Sequence, residues 1–329
     1  MTLINDLLIN ALQKRQKDTS ILPFTNAYRL FNGVFEGDPT FSIDIYNNAA
    51  VIHSYQQIIE PPKIEAIVSF IKLNLANITF ALLKQRNSKK PEERMGTRLF
   101  GNQPVVEIKE NGVYYAIDLT MNQDCGIYLD TANLRRWLKA NSQGKSVLNT
   151  FSYTGSLGIA ALAGNAMNVI QQDKNKAYMR FSRLSSQLNG FDPGRLTHHI
   201  NDFFPAMAGY RKQKAEFDIV ILDPPIISNT GKGKVELEGN YLSLINKIRP
   251  LVADQGTLIL VNNALFLSGN AMLDQLTPVL KDKYIKIKQI VPVPESYTGY
   301  HPDPVSILPA DPTPFNHSTK ILFLQVTKK

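Results

Sequence analysis
From residue 146 onward the chain repeats one pattern: a short apolar run, a polar turn, then apolar residues at helical spacing. Val147, Leu148 and Phe151 make the first strand, and Ile159 to Leu162 begin the helix after it. Asn168 to Gln172 form a second strand ending in Asp173, and Arg195 to Asn201 a third ending in Asp202. Phe217 to Leu222 form a fourth, followed by Asp223-Pro224-Pro225; Gly256 to Val261 form a fifth, ending at Asn262-Asn263. Ile285 to Val293 and Lys320 to Thr327 are apolar enough for two final strands. Strands alternating with helices require right-handed crossovers and a parallel sheet. The pattern predicts an α/β, doubly wound sheet over residues 121–329, with a helix from Asn133 to Ala140 at its entrance.

The first 120 residues read differently, as a smaller N-terminal α+β domain. Met1 to Lys17 is amphipathic and helical, and Ile64 to Leu75 carries apolar residues at helical spacing. Thr40 to Tyr46 and Ala49 to Tyr55 alternate around Asn47-Asn48, which predicts a β-hairpin. A second hairpin is expected from Val105 to Ile108 and Val113 to Leu119 around Asn111-Gly112. Near the C-terminus, the long connection 294–319 contains Pro294, Pro302, Pro304, Pro309, Pro312 and Pro314. Its Tyr297, Tyr300 and Phe315 favour an ordered lid over a loose linker. His301 and His317 lie in it, where histidines more often satisfy loop hydrogen bonds than touch a substrate.

Composition narrows the function classes. With 329 residues, 43% of them hydrophobic, there is material for two cored domains. No run approaches the ~18 apolar residues of a membrane helix. Asn5 and Asp6 interrupt the first apolar stretch and Lys14, Arg15 and Lys17 follow it, the wrong order for a secretory signal. One cysteine excludes an intramolecular disulfide or a cysteine-based zinc cluster and fits a cytoplasmic protein without a metal. The net charge of +8 favours an anionic partner. Lys84, Arg86, Lys89, Lys90, Arg94 and Arg98 share one polar stretch, diluted by Glu92 and Glu93, that either grips phosphates or is a solvated linker.

Candidate chemistry sits at the strand ends. Gly155 and Gly158 fall where the first strand hands over to its helix, which lets a backbone approach a nucleotide-like ligand or simply packs a helix closely. Asp173, Asp202 and Asp223 end three consecutive strands, and ligands of open parallel sheets bind outside those ends. An acid after the second strand suits ribose hydroxyls and one after the third suits an adenine amino group, which together describe an adenosine pocket. A dinucleotide-dependent dehydrogenase would use a similar turn, but Gly-x-Gly-x-x-Gly is absent and Asp-Pro-Pro follows the fourth strand.

At these residues the chain resembles the class I S-adenosylmethionine (SAM) dependent methyltransferases, and within them the bacterial large-subunit (23S) ribosomal RNA methyltransferases. Leu148-Asn149-Thr150-Phe151-Ser152-Tyr153-Thr154-Gly155 matches the family's Leu-Asn-x-Phe-Ser-Tyr-Thr-Gly. Gly126 to Asp130 and Asp223 to Asn229 match two further motifs, and the early Asn26-Ala27-Tyr28-Arg29-Leu30 with Gly37-Asp38 and Asp44 resembles the family's central domain. The likeness spans roughly residues 26 to 46 and 120 to 264. It implies a Rossmann-like methyltransferase fold, SAM as cofactor and ribosomal RNA as partner. It implies a cofactor site of Tyr128, Asp130, Arg135, Asn149, Phe151, Ser152, Tyr153, Thr154, Gly155, Asp173, Lys174, Asn201, Asp202 and Asp223. Where the family shows Lys-Thr-Gly and Asp-Gln-Arg, this chain has Asp124-Cys125-Gly126 and Asp130-Thr131-Ala132. The small RNA-binding domain that family members usually carry at the N-terminus is expected to be missing.

On the acceptor side the resemblance implies Asp223, Pro224, Pro225, Ser228, Asn229, Asn262 and Asn263. Carbon 5 of cytosine is a poor nucleophile and needs a thiolate to add to the ring first. The family's 5-methylcytosine members carry that cysteine at the end of the fifth strand, where this chain reads Leu260-Val261-Asn262-Asn263; Cys125 is its single thiol. The 7-methylguanine branch instead ends that strand in Ser-Asn-Asn and follows Asp-Pro-Pro with Ser-Asn, as Ser228-Asn229 does here. That branch has an aromatic residue after the prolines, and this chain has Ile226-Ile227. Asn262-Asn263 is also compatible with a plain strand-end turn. A methyltransferase for a small molecule or protein, and a non-catalytic RNA-binding relative, remain the alternatives, and the sequence leaves the oligomeric state open.

Overall fold
The computed structural model describes residues 2–21, 24–121, 124–230, 233–236, 241–281, 284–301 and 308–328, with the side chains of 2, 227–230 and 233–236 outside that description. The chain folds as two compact units: Met1–Asp130 with Pro294–Pro302, and Thr131–Val293 with Asp303–Lys329. Among the described residues no helix is long and apolar enough to cross a membrane.

In the first unit, α1 (Thr2–Lys17) precedes β1 (Ala27–Asn32), β2 (Phe41–Tyr46), β3 (Ala49–Ser54), α2 (Pro61–Asn74), β4 (Phe80–Gln85) and β5 (Thr97–Phe100). These strands form one sheet in sequence order, antiparallel except for β3 and β4, which α2 connects as a crossover. A small hairpin, β6 (Glu107–Glu110) and β7 (Val113–Ala116), turns at Asn111-Gly112 with both residues at positive φ, as that dipeptide predicts. Leu8, Leu30, Phe31, Ile43, Ile52, Ile67 and Phe70 fill the core between α1, α2 and the sheet.

The basic stretch is not one loop. Lys84 lies on β4, fully buried, and its Nζ donates to the Asp124 carbonyl at 2.6 Å; Arg98 lies on β5. Lys90 pairs with Glu93 at 2.9 Å, and Arg94 donates to the Ser88 carbonyl at 2.8 Å. Period-2 alternation is hidden in β4 because both of its faces are buried.

Met121 and residues 124–130, placed by the sequence with the second domain, fall in the first unit. Cys125 is buried there, its carbonyl accepting from the Asp118 amide at 3.3 Å. The first part of the proline-rich connection also joins this unit. Tyr297 lies over the Arg29 guanidinium, 4.0 Å from Cζ to ring centroid, and Asn32 Nδ2 donates to its carbonyl at 2.6 Å. Arg29 in turn pairs with buried Asp44, and buried Arg15, paired with Glu36, donates to the Ser296 carbonyl at 2.8 Å. Thus Tyr297 is ordered, as its aromatic character predicts, although as a fixed part of the first unit's interior.

The second unit opens with α3 (Ala132–Asn141) and continues as β8 (Ser146–Thr150), α4 (Ser156–Ala163), β9 (Asn168–Asp173), α5 (Lys176–Leu188), β10 (Leu196–Ile200), α6 (Phe203–Lys212) and β11 (Phe217–Leu222). After β11 come the short pair β12 (Ile227–Thr230) and β13 (Gly233–Glu236), then α7 (Tyr241–Ile248), β14 (Val252–Asn262), α8 (Gly269–Leu280), β15 (Ile285–Val291) and β16 (Lys320–Val326). The seven-stranded sheet has the order β10-β9-β8-β11-β14-β16-β15, parallel except for β16. Leu148, Val220, Leu222, Leu258, Leu260, Leu322 and Leu324 point into a core with α6, α7 and α8. Residues of the other parity face the opposite layer, where Trp137 of α3 meets Phe323 edge-on at 4.4 Å. Both faces are therefore covered, which is why these strands read as nearly continuous apolar runs.

Candidate cofactor and acceptor site
Strand order reverses between β8 and β11, so the loops after these two parallel strands diverge and leave a crevice outside their carboxyl ends. The turn after β8 is built from alternate left-handed residues: Phe151 and Tyr153 at φ 52° and Gly155 at φ 82°. Such a turn curls successive backbone amides toward one concave side. A non-glycine residue at positive φ is uncommon, so two in three positions mark a backbone held by its surroundings. Here the Tyr153 amide donates to Asp173 Oδ2 at 2.9 Å and the Ser152 amide to the Gln172 carbonyl at 3.0 Å. Phe151 stacks on Phe203 with centroids 4.7 Å apart, and Tyr153 meets Tyr178 edge-on at 4.5 Å.

Asp173 holds two loops at once, because its Oδ1 also accepts from the Asn175 amide at 2.8 Å. Burial raises its pKa, and those amides pull it back down. Each carboxylate oxygen has a second lone pair, which leaves acceptors for a ligand's hydroxyls. Asp202 caps α6, accepting from the Phe204 amide at 3.3 Å, and Asn201 accepts from Gln172 Nε2 through its carbonyl at 2.7 Å. Lys174 is solvent-exposed beside them. Asn149, Phe151, Ser152, Tyr153, Thr154, Gly155, Asp173, Lys174, Asn201 and Asp202 thus stand at the ends of β8, β9 and β10 on one unit. Tyr128 and Asp130 belong to the first unit; Arg135, in the second, is buried in α3 and donates to Thr131 Oγ1 at 2.7 Å.

The two glycines have a partner that sequence reasoning missed. A Cβ on Gly158 would stand 2.3 Å from Gln171 Nε2, and one on Gly155 would stand 2.6 Å from the same atom. Gln171 is fully buried; its Oε1 accepts from Asn149 Nδ2 at 2.7 Å and its Nε2 donates to the Gly155 carbonyl at 2.8 Å. Ser182 Oγ lies 3.4 Å from that nitrogen and 3.0 Å from His198 Nε2. Burial and the nearby Arg183 lower the His198 pKa to about 4, so this network is neutral at physiological pH. Gly158 is therefore a packing glycine. The signal available in the sequence was Gln171-Gln172, two amides inside a strand that a parallel sheet buries.

On the acceptor side, Pro224 is buried, Pro225 exposed and Asp223 half-buried after β11. Ser228 and Asn229 lie on β12, and their side chains are outside the described residues. Asn262, fully buried at the end of β14, accepts from the Ala264 amide through Oδ1 at 2.9 Å. That bond fixes the orientation of the amide, because only the oxygen accepts, and it leaves Nδ2 as a donor without a partner among the described residues. Asn263 Oδ1, Asn149 Oδ1 and Gln172 Oε1 are likewise buried acceptors without one. Buried polar groups are nearly always paired, and four such atoms gather at the carboxyl ends of β8, β9 and β14, while others, such as His53 Nδ1 and Ser142 Oγ, stand elsewhere among the described residues. Of the four, the acceptors Asn149 Oδ1 and Gln172 Oε1, at the ends of β8 and of β9, which also delivers Asp173, fit the amino and hydroxyl donors of SAM.

A buried lysine supports the loop after β14. Lys320, opposite Asn262 in register, donates through Nζ to the carbonyls of Ala264 at 3.0 Å and Ser318 at 2.6 Å. Its burial lowers its pKa to about 8. Cys125 lies in the first unit, buried, with its thiol pushed up to about 12 chiefly by burial. His317 Nδ1 accepts from the Thr319 amide at 3.0 Å, the loop role expected of it. Among the described residues no three His, Cys, Asp or Glu side chains are grouped to hold a metal.

Strand order, the reversal point and the polar strand ends define a class I, Rossmann-like methyltransferase fold. A family model for S-adenosylmethionine-dependent methyltransferases matches residues 87–281, and the chain belongs to that family. It is 32% identical over 218 residues to ribosomal RNA large subunit methyltransferase I of Alteromonas mediterranea, covering 65% of this chain and 54% of that protein. It is 27% identical to ribosomal RNA large subunit methyltransferase K/L of the same organism, covering 76% of this chain and 36% of the relative. The chain thus spans about half the length of these relatives, or less. Among solved structures, SMU.776 complexed with SAH (S-adenosylhomocysteine) superposes with a TM-score of 0.85 at 22% identity, over 99% of this chain and 81% of that one. A SAM-dependent methyltransferase from Agrobacterium tumefaciens does so with a TM-score of 0.66 at 15% identity, over 94% and 92% of the two chains.

Proposed function
We propose that this protein transfers the methyl group of SAM to a base of ribosomal RNA in the cytoplasm, with guanine N7 ahead of cytosine C5 as the acceptor. The observation that carries the reading is Asn262, at the end of β14, whose amide is oriented by the Ala264 amide and whose buried Nδ2 has no hydrogen-bond partner among the described residues. Guanine presents two acceptors side by side on one edge, O6 and N7. Nδ2 is buried in the free protein, so the loops must part to admit a base; a donor from Asn262 to O6 would then leave the N7 lone pair free for the methyl group. The names of the relatives support ribosomal RNA as the class of substrate.

Phe151 to Gly155 would bracket the methionine part of the cofactor, Asp173 its ribose hydroxyls, and Asn201 and Asp202 its adenine. SAM supplies a methyl on a positively charged sulfur; the protein's part is alignment and exclusion of water. N7 has no proton to lose, so no general base is required. Asp223, Pro224 and Pro225 would shape the acceptor wall and Asn263 would stand beside Asn262; Ser228 and Asn229, given the same role by the resemblance, have side chains outside the described residues. A cytosine C5 route requires a thiolate, and Cys125 is buried in the other unit with a raised pKa.

Methyl transfer from labelled SAM to ribosomal RNA of a strain lacking the gene, followed by identification of the labelled nucleoside by mass, tests the reading. Label in 7-methylguanosine, lost in Asn262→Ala with SAM affinity unchanged, is the expected result. Label in 5-methylcytidine would overturn the choice of base, and no label despite SAM binding would overturn the choice of RNA.

A further inference from the structure
The loop after β14 exposes apolar side chains. Phe266 is 73% exposed and Leu265 42%, and Ile226, after Asp223-Pro224-Pro225, is 45% exposed. Strands β11 and β14 are parallel neighbours with Leu222 opposite Leu260, so the loops carrying these three residues leave the same edge of the sheet together. Single exposed apolar residues are ordinary; three on the two loops that frame the acceptor end of the site call for an explanation.

The tip of the β14 loop is held on both sides. Ala264 is buried, its amide bound to Asn262 Oδ1 and its carbonyl to the buried Lys320 Nζ. On the other side Leu267 packs against the core, and Ser268 caps α8 by accepting from the Ala271 amide at 3.1 Å. A short tip fixed at both ends cannot fold its side chains back into the core, so Phe266 is presented outward, four residues from Asn262. The sequence lacks an aromatic residue directly after Asp-Pro-Pro, where Ile226-Ile227 stand.

We propose that Phe266, flanked by Leu265 and Ile226, is the stacking platform for the acceptor base of an unpaired RNA segment. Bases splayed out of single-stranded RNA are held by stacking on aromatic rings while amides read their edges. Phe266 supplies such a ring, on an anchored loop that leaves the same edge of the sheet as the strand ends of the candidate site. The net charge of +8 suits a polyanionic strand carrying that base. The inference rests on the RNA reading given above and names the residue that selects the base's presentation.

The test compares wild type, Phe266→Ala, Phe266→Leu and Phe266→Tyr on undermethylated ribosomal RNA, with SAM binding measured by calorimetry. Stacking is worth enough for the KM for RNA to rise on the order of tenfold or more in Phe266→Ala. Phe266→Tyr is expected to remain near wild type and Phe266→Leu to fall between, because leucine is apolar but has no π face. SAM affinity and melting temperature are expected to be the same in all four, the side chain being outside the core. Wild-type labelling of RNA with Phe266→Ala unchanged in KM and kcat overturns this inference alone. A rise in KM that Leu restores as fully as Tyr also overturns it, since shape and not the ring would then suffice. A wild-type protein that binds SAM but labels no RNA overturns the RNA reading, and this inference falls with it.

Discussion

Replacing Gly158 by alanine isolates the packing that shapes the candidate cofactor turn. In a helix interior this change normally stabilises by about 1 kcal/mol, because glycine is the poorer helix former. Here the new Cβ would sit 2.3 Å from Nε2, 2.6 Å from Cδ and 2.8 Å from Oε1 of Gln171, a fully buried side chain. Overpacking of that kind costs about 1–3 kcal/mol. If the carboxamide moves, Asn149 Nδ2 and the Gly155 carbonyl lose their partner, and each buried unsatisfied group costs about 1–3 kcal/mol. The clash outweighs propensity, and Gly158→Ala is expected to destabilise the second unit by about 3 kcal/mol. Gln171→Ala removes the obstacle as well as the bonds, so adding Gly158→Ala to it is expected to be neutral or to stabilise by up to about 1 kcal/mol. The chain has one tryptophan, Trp137, packed on Phe323 of the second unit's sheet, so its fluorescence in urea reports that unit by itself. Equal costs for Gly158→Ala in the wild-type and Gln171→Ala backgrounds would show that Gln171 is not the reason for the glycine.

Three further outcomes follow from the titrating groups. Asp173 has a raised pKa and acts as an acceptor only when ionised, so SAM affinity is expected to fall as pH falls through that raised value; calorimetry across acidic pH should show the fall in wild type and negligible binding at every pH in Asp173→Ala. Burial lowers the pKa of Lys320 to about 8 from the 10.5 of a free lysine, so between these values the unfolded chain holds more protons and stability rises with pH. Lys320→Met should lose that rise in urea midpoints measured between the two values, and an unchanged slope would contradict the burial of the amine. Cys125, with its thiol pushed up to about 12, should resist alkylation in the folded protein at pH 8 and react on unfolding; methyl transfer undiminished in Cys125→Ala would accompany it, and complete loss with folding intact would refute a purely structural thiol.

Local chemistry made much of this fold readable. Strands β9 and β11 run into acids, Asp173 and Asp223, β8 runs into a polar turn with Gly155, and the hairpin at Asn111-Gly112 needs positive φ, which that dipeptide tolerates. The sequence therefore determined the alternation of strands and helices, the polar ends that gather at one edge of the sheet, and the absence of a thiol at the end of the fifth strand. These are properties of neighbouring residues, and period and turn chemistry encode them directly.

Tertiary structure decided what depends on residues far apart in the chain. Lys84 and Arg98 read as one basic loop until β4 and β5 are paired, which buries the first lysine against the Asp124 carbonyl. Tyr297 reads as part of a lid until it is found over Arg29 in the first unit. Gly155 and Gly158 read equally as room for a ligand or as close helix packing until Gln171, on the next strand, is seen beside both. Phe266 is only a hydrophobic residue after a strand until Lys320, brought opposite Asn262 by antiparallel pairing, fixes the loop that presents it. In each case the deciding contact joins segments that share no local pattern, and only close packing of the folded chain specifies it.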